Sequence, residues 1–461
     1  MDVSQLPSVS GLLVTADNPA RTDLLGMDHA RCAALHNYLV HYAWIAEGHP
    51  PASLHGNSNN TFFTAYGAAA EALRPRLDPS LAAFLDTAML PPIDGPDPAP
   101  FFFWASGLTE PDVLFANQEA DLFDEPVDSL VFLYLPNTGQ GAESGVGLFY
   151  HQGCHHAAVF KHMDDYDFAM PVAAHPELWH PLETVLSTWI DLIHLGKIVA
   201  SPRDAPPLFG VEKIGPWEWR PYSEAQVASC VGAWDRLCAA IEARVSLLSP
   251  TGTTSTTSAA KPEPLLTPPT LDAASIPKPC FARSFLSRTR RPAFRYIAPG
   301  LLLPPPDATE FTALKPYASL PRSNSHAIPP VCLFATARGE RREADVAGPS
   351  SPFCRPFWAR SNDEASSLLL PSRVPAGVYS EAVERDCFDN AEEAFRLLLP
   401  FGLEGDVHAR GEDVNRIVKG ARKSDGSFVR RGTAAELFQH GYKPFGGDYY
   451  RAQRLERLLE H

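Results

Sequence analysis

The chain has 461 residues, 45% of them hydrophobic and 20% charged, which is enough apolar material for two or three domains with sizeable cores. Its 39 basic and 54 acidic side chains leave a formal charge of −15, so there is no general attraction to phosphate backbones and any nucleic-acid contact needs a local patch. The eight cysteines form no CxxC pair, no charged-then-apolar leader opens the chain, and no run approaches the ~18–20 apolar residues of a membrane span. These features argue against a zinc ribbon, a disulfide framework and a membrane protein, and the expectation is a reduced, cytoplasmic chain.

Residues 8–15 read as a short strand, and 22–46 has helical apolar spacing through Leu25, Met27, Ala30, Leu35, Leu39 and Trp44. A second, interrupted helical pattern covers 68–89. Phe101 to Trp104 and Val113 to Phe115 read as strands. Asp124 then suits a helix N-cap with Pro126 in the first turn, which predicts a buried helix over 127–135. Gly145 to Tyr150 is strand-like, and Ala157 to His162 fits either type. Amphipathic helices are expected from Pro181 to about Leu195 and from Ser223, the latter with Val227, Cys230, Val231, Trp234, Cys238, Ile241 and Val245 on one face.

From Ser249 to Pro279 the chain is rich in Ser, Thr, Pro and Ala, too poor in apolar surface to offset the entropy of ordering, and reads as a disordered linker. Beyond it, landmarks of the first half return in the same order. Gly11-Leu-Leu-Val is followed by Gly300-Leu-Leu-Leu, Phe103-Trp-Ala105 by Phe357-Trp-Ala359, and Glu119-x-Asp121-x-Phe123-Asp124 by Glu384-x-Asp386-x-Phe388-Asp389. Gly147, Phe149 and Gly153 match Gly426, Phe428 and Gly432. Ala157, Phe160 and His162 match Ala435, Phe438 and His440, and Leu182 to Leu186 matches Leu455 to Leu459. Matches in one order indicate an internal duplication. The expected architecture is therefore α+β: a first module at 1–248 with a helical insertion around 22–90, a linker at 249–280, and a second, C-terminally shortened module at 281–461.

Four features bear on chemistry. The acidic corner is the first. Asp389 with Glu392 three residues on is an acidic capping box and Glu393 adds charge to a helix N-terminus; alternatively Glu384, Asp386, Asp389 and Glu393 gather to hold a cation, a proton or a guanidinium. The second is the run His151, Cys154, His155, His156, His162, Asp164 and Asp165. HxxCHH has zinc-ligand chemistry, and His162 with Asp164 opens an iron facial triad, set against a solvated or core-satisfied histidine cluster. Third, Glu183, Ser187, Asp191 and His194 form a polar stripe at helical spacing, read as a solvent face. Fourth, Arg410, Arg416, Lys419, Arg422, Lys423, Arg430 and Arg431 make a basic stretch that either is solvated or meets a polyanion, to which the arginines at 283, 288, 290, 291 and 295 would add.

Asp389-Asn390-Ala391-Glu392-Glu393 is one substitution, at Asn390, from a DDxxE pattern, and Asp124-Glu125-Pro126-Val127-Asp128 has acids at all three fixed positions. In this the chain resembles the fungal arginine-containing cyclodipeptide synthases. The resemblance implies a secondary-metabolism transferase that takes two aminoacyl groups from charged tRNAs, one of them arginyl, and closes them into a diketopiperazine without ATP, metal or cofactor. It implies Asp389 and Glu393 as base and guanidinium acceptor, with Asp124 and Asp128 as the first module's equivalents. Glu384, Asp386 and His440 would lie at the substrate, and Arg422 and Lys423 at the tRNA. Two other classes stay open: a non-enzymatic interaction protein of two related modules, and a metal-dependent oxidoreductase using His162 and Asp164.

Overall fold

The structure, a computed structural model, describes residues 6–15, 17–55, 60–91, 101–115, 123–137, 147–160, 171–174, 179–210, 213–248, 263–298, 300–315, 328–337, 341–343, 373–380, 395–398, 455 and 459. These fall into two units, one made of 6–208 and 213–219, the other of 209–210 and the described residues from 220 onward. Both contain helices and antiparallel strands, as the α+β expectation requires.

In the first unit, helix α1 is His29–Ala46. It starts seven residues later than the apolar spacing predicts, because Gly26 lies against the Ser80 hydroxyl, which accepts the Met27 N–H at 2.9 Å, and Asp28 then caps the helix by accepting the Arg31 N–H. Short helices α2 (Pro51–His55), α3 (Phe62–Tyr66) and α4 (Ala68–Glu71) follow, then α5 (Pro79–Thr87), with Asp78 as N-cap and proline in its first turn. Strands β1 (Ala105–Leu108), β2 (Leu130–Pro136), β3 (Gly147–His151) and β4 (His156–Phe160) make one antiparallel sheet in that order. Helix α6 (Leu182–His194) and the small sheet β5 (Ile198–Ala200), β6 (Lys213–Ile214), β7 (Trp217–Trp219) complete the unit, and α1 packs on α5 and α6.

Four readings change here. Residues 8–15 are turns, not a strand, the buried Phe101–Trp104 run bends before β1 instead of forming it, and Val113 to Phe115 is a turn and bend, not a strand. The helix expected over 127–135 is strand β2. Its Leu-Val-Phe-Leu-Tyr run, Leu130 to Tyr134, is buried throughout, a pattern that periodicity cannot assign, and branched and aromatic side chains suit a sheet. The register shifts between Phe132 and Tyr134, so residues two apart serve different layers: Phe132 joins Phe123, Phe149, Phe160 and Trp179, while Tyr134 reaches His36 on α1. Gly147 makes this possible. At φ 140°, a Cβ there would lie 2.3 Å from the Phe132 ring.

The second unit begins with α7 (Glu224–Leu248), then α8 (Pro268–Ala273), α9 (Phe281–Arg288), the pair β8 (Tyr296–Ala298) and β9 (Leu301–Leu302), and α10 (Ala308–Ala313). Strands β10 (Cys332–Ala335), β11 (Arg341–Glu343), β12 (Arg373–Pro375), β13 (Gly377–Ser380) and β14 (Phe395–Leu398) form a sheet β10-β13-β14 and a pair β11-β12. Helix α7 buries Val227, Cys230, Trp234 and Cys238 of the apolar face expected of it, while Val245 at its far end is exposed, and its partners are in this unit: Trp234 stacks on Phe334 at 5.6 Å and meets Phe285 edge-on. The division therefore falls near residue 220, ahead of the linker expected at 249–280. Within that linker, 263–279 is ordered. Leu265, Leu266, Leu271 and Ile276 are buried, and four such side chains outweigh a Pro/Thr-rich composition.

The landmarks of the duplication meet mixed structures. The apolar segments after both acidic corners are strands, β2 and β14, and Leu182–Leu186, Leu455 and Leu459 are helical. Gly11 sits in a turn whereas Leu301 and Leu302 pair in a sheet. The matches at 357–359, 384–389, 426–432 and 435–440 lie outside the described residues.

Candidate functional site

Of the residues singled out from the sequence, Glu384, Asp386, Asp389, Glu393, Arg422, Lys423, His440, His162 and Asp164 lie outside the described residues. Asp124 and Asp128 are described, and they sit where the corner meets the β3–β4 hairpin. Neither has the extended backbone of an N-cap. Their φ values are 52° and 71°, the left-handed region that aspartate tolerates better than most residues, and the corner is a turn closed by Ser129 donating N–H and O–H to the Pro126 carbonyl.

Asp128 receives the guanidinium of Arg76, from Nε at 3.1 Å and also from Nη2. The same guanidinium lies 3.9 Å from the centroid of the Phe115 ring. A carboxylate at the edge and an aromatic face beneath is a full recognition site for a planar cation, and it is occupied by the chain's own arginine. Gln152 in the hairpin turn ties the surroundings together. Its Nε2 donates to the carbonyls of Arg76 and Asp128, and its Oε1 accepts the Asp78 N–H at 2.6 Å.

Glu125 is committed too. Its Oε1 accepts the Val172 N–H at 2.9 Å, and its Oε2 lies 3.1 Å from His151 Nε2. His151 Nδ1 accepts the Cys154 N–H at 3.0 Å, which places the ring proton on Nε2, donated to Glu125. Both ring nitrogens are thus used, and the imidazole stands edge-on to Trp179. His156 Nδ1 bonds the Cys154 carbonyl, and His155, at φ 56°, has Nδ1 3.3 Å from the Tyr150 hydroxyl. Burial pushes the Cys154 thiol up, so it is not an activated thiolate. The described part of the HxxCHH run is therefore a hydrogen-bonded hairpin. Among the described residues no group of His, Cys, Asp and Glu could hold a metal ion.

The other two features also resolve. In the polar stripe of α6, Asp191 and His194 are exposed, but Glu183 and Ser187 are buried: Ser187 accepts the Val14 N–H at 2.9 Å, and Glu183 Oε2 faces Cys32 Sγ at 3.5 Å. The arginines after the linker form no open basic patch at 283, 288, 290 and 291. Arg283 holds Asp272 at 2.6 Å, Arg288 holds Glu224, Arg290 holds Glu242 at 2.8 Å, and Arg291 donates to the Leu265 carbonyl at 2.7 Å.

The corner can therefore bind a guanidinium, while Asp124, exposed and without a hydrogen bond to a described residue, is the carboxylate it leaves in solvent. Sequence reasoning found Asp124 and Asp128 and missed Arg76, Phe115 and Gln152, which no local spacing connects to them. No helix among the described residues is long and apolar enough to cross a membrane, and the six described cysteines are free. Comparison with family models, curated proteins and solved structures found no match.

Proposed function

We propose that the chain is a tRNA-dependent cyclodipeptide synthase that joins an arginyl group to a second aminoacyl group, with Asp389 and Glu393 as the working carboxylates. Two things support this reading: the resemblance of Asp389–Glu393 to a DDxxE motif, and the chemistry of the corner that the same sequence pattern builds at Asp124–Asp128. The second is the observation that carries it, for there a carboxylate and an aromatic ring hold a guanidinium. In the first corner that guanidinium belongs to Arg76, and Glu125 is tied to His151, so the first copy serves structure. The arginyl substrate and the proton transfer from its attacking amine then belong to the second corner. Arg422 and Lys423 would meet the tRNA phosphates.

The test is incubation of the purified chain with arginyl-tRNA and a mixture of other aminoacyl-tRNAs, read by mass spectrometry for arginine-containing cyclic dipeptides. Product should form, and Asp389→Ala and Glu393→Ala should each abolish it without lowering the melting temperature. No product from folded protein sinks the reading.

A second reading, an interaction protein without catalysis, is favoured by the commitment of Glu125 and Asp128 to internal partners, which leaves Asp124 as the exposed carboxylate of the first corner. Product that survives both substitutions would show that the second corner is not catalytic; no product together with a partner retained through the Asp124 surface would support the second reading.

A further inference from the structure

The turn Arg74-Pro75-Arg76 ahead of α5 sets two guanidinium groups on two aromatic rings, and the two are held unequally. Arg74 lies 3.6 Å from the Phe63 centroid and is saturated. Its Nε and Nη2 donate to both oxygens of Glu71 at 2.8 and 3.0 Å, and its Nη1 and Nη2 donate to both oxygens of Asp86, each at 2.9 Å. Arg76 lies 3.9 Å from the Phe115 centroid, but its Nε and Nη2 both go to one oxygen, Asp128 Oδ1. Arg76 Nη1 and Asp128 Oδ2 have no hydrogen bond to a described residue. A fork laid across both carboxylate oxygens is the stronger arrangement, so the Asp128 seat is half used.

The backbone around the seat does not depend on the Arg76 side chain. Arg74 anchors the turn on one side, and Gln152 holds the Arg76 and Asp128 carbonyls on the other. Ser129 closes the corner on the Pro126 carbonyl. When the Arg76 guanidinium swings out, the carboxylate and the ring therefore stay in place. The swing costs little: with both partners about a third exposed, the tie amounts to no more than about a fivefold preference.

On the same turn as the seat, the corner presents Asp124, Pro126 and Val127 to solvent, Val127 at 68% exposure. An exposed acid and two apolar side chains on a fixed turn, with a half-used guanidinium seat among them, complement an arginine flanked by apolar residues. We propose that this corner is a docking surface for an arginine-bearing peptide segment of another protein, whose guanidinium displaces that of Arg76 from Asp128 and Phe115. The open position favours a peptide over a small arginine derivative. A ligand held where both partners stand a third in water gains little from enclosure, and only a longer one adds contacts to Pro126 and Val127. Arginine is selected over lysine because a planar fork spans both Asp128 oxygens and stacks flat on the ring, whereas an ammonium is a point charge. Docking here is independent of catalysis at Asp389 and Glu393, so its failure would leave the cyclodipeptide assay unaffected.

Titration of the full chain with acetyl-Val-Arg-Val-amide, acetyl-Val-Lys-Val-amide and L-arginine methyl ester, read by saturation-transfer NMR on the ligand, tests this. The wild type should bind the arginine peptide severalfold tighter than the lysine peptide. Arg76→Ala should raise that affinity by up to about fivefold, the preference it removes. Asp128→Asn should abolish binding with or without Arg76, and Asp86→Asn, at the saturated Arg74 seat, should leave it unchanged. No wild-type binding, equal affinity for the lysine peptide, no gain in Arg76→Ala, or binding that survives Asp128→Asn would each overturn the proposal. A methyl ester that binds tighter than the peptide would assign the seat to small arginine derivatives and overturn it as well. So would an Arg76→Ala chain that fails to fold, because the tie would then carry the fold and could not be displaced.

Discussion

Burial in the first unit holds the His36 imidazole down to about 4 from its ordinary 6.5, with Nε2 donating to the Met89 carbonyl and Nδ1 accepting from the Tyr134 hydroxyl. The unfolded chain takes up this proton as pH falls below 6.5, the folded one only near 4. Stability is therefore complete above 6.5 and declines between 6.5 and 4, by about 3 kcal/mol for a shift of that size. Urea denaturation at pH 7.5 and 4.5 should show the loss, and His36→Leu should flatten this part of the slope while costing ~1–3 kcal/mol at pH 7.5 for the two partners it strands. The corner residues differ in weight. Arg76 and Asp128 are each about a third exposed, so Asp128→Ala should cost under ~1 kcal/mol. Gln152→Leu strands one N–H and two carbonyls and should cost more, about 2 kcal/mol, by thermal or chemical denaturation. Nothing in the sequence ranks these residues. Gln152 looks like any turn glutamine, since its partners lie at positions 76, 78 and 128.

At the level of elements, two glycines do the same thing in different units. Gly147 opens β3 against β2 at φ 140°, and Gly377 opens β13 against β10 at φ 151°, where a Cβ would lie 2.2 Å from the Phe334 carbonyl oxygen. Gly147→Ala and Gly377→Ala should each cost more than ~2 kcal/mol, and hydrogen exchange should place the loss in β2–β4 for the first and in β10 and β13 for the second. Helices α1, α6 and α7 were legible because their apolar spacing runs for several turns; α6 was legible nearly to the residue. Strand β2 was not, because a fully apolar run has no period to read. The acid corner misled for a related reason: Asp124 and Pro126 are helix-start residues by type, and only the left-handed backbone at Asp124 and Asp128 shows that the chain turns there instead.

For the whole molecule, the division near residue 220 makes α7 a core element of the second unit. Trp234→Ala should therefore cost ~3–5 kcal/mol, with loss of amide protection in α9 and β10 while β1–β4 keep theirs; loss in β1–β4 instead would return α7 to the first unit. A composition shift could not locate this boundary. It marked 249–280 as a disordered linker, but Leu265, Leu266, Leu271 and Ile276 lie within it and pack with Trp234 and Phe285. The α+β class was readable from the alternation of long periodic segments and short apolar runs. The candidate site was readable only as far as its acids. Their partners are assigned by the fold, through contacts that span 52 residues from Arg76 to Asp128 and 26 from Glu125 to His151.

Gln152 also bears on how fast the first unit comes apart. Its side chain joins segments separated by 76, 74 and 24 residues, so its three bonds can close only after the chain between them has been gathered. The expectation is that these three bonds form after the folding barrier. Removing them leaves the forward rate nearly untouched and appears as faster escape from the native state. Gln152→Leu should shift the unfolding limb of a chevron upward and leave the refolding limb in place, which would make this hairpin turn a determinant of native lifetime as well as of stability.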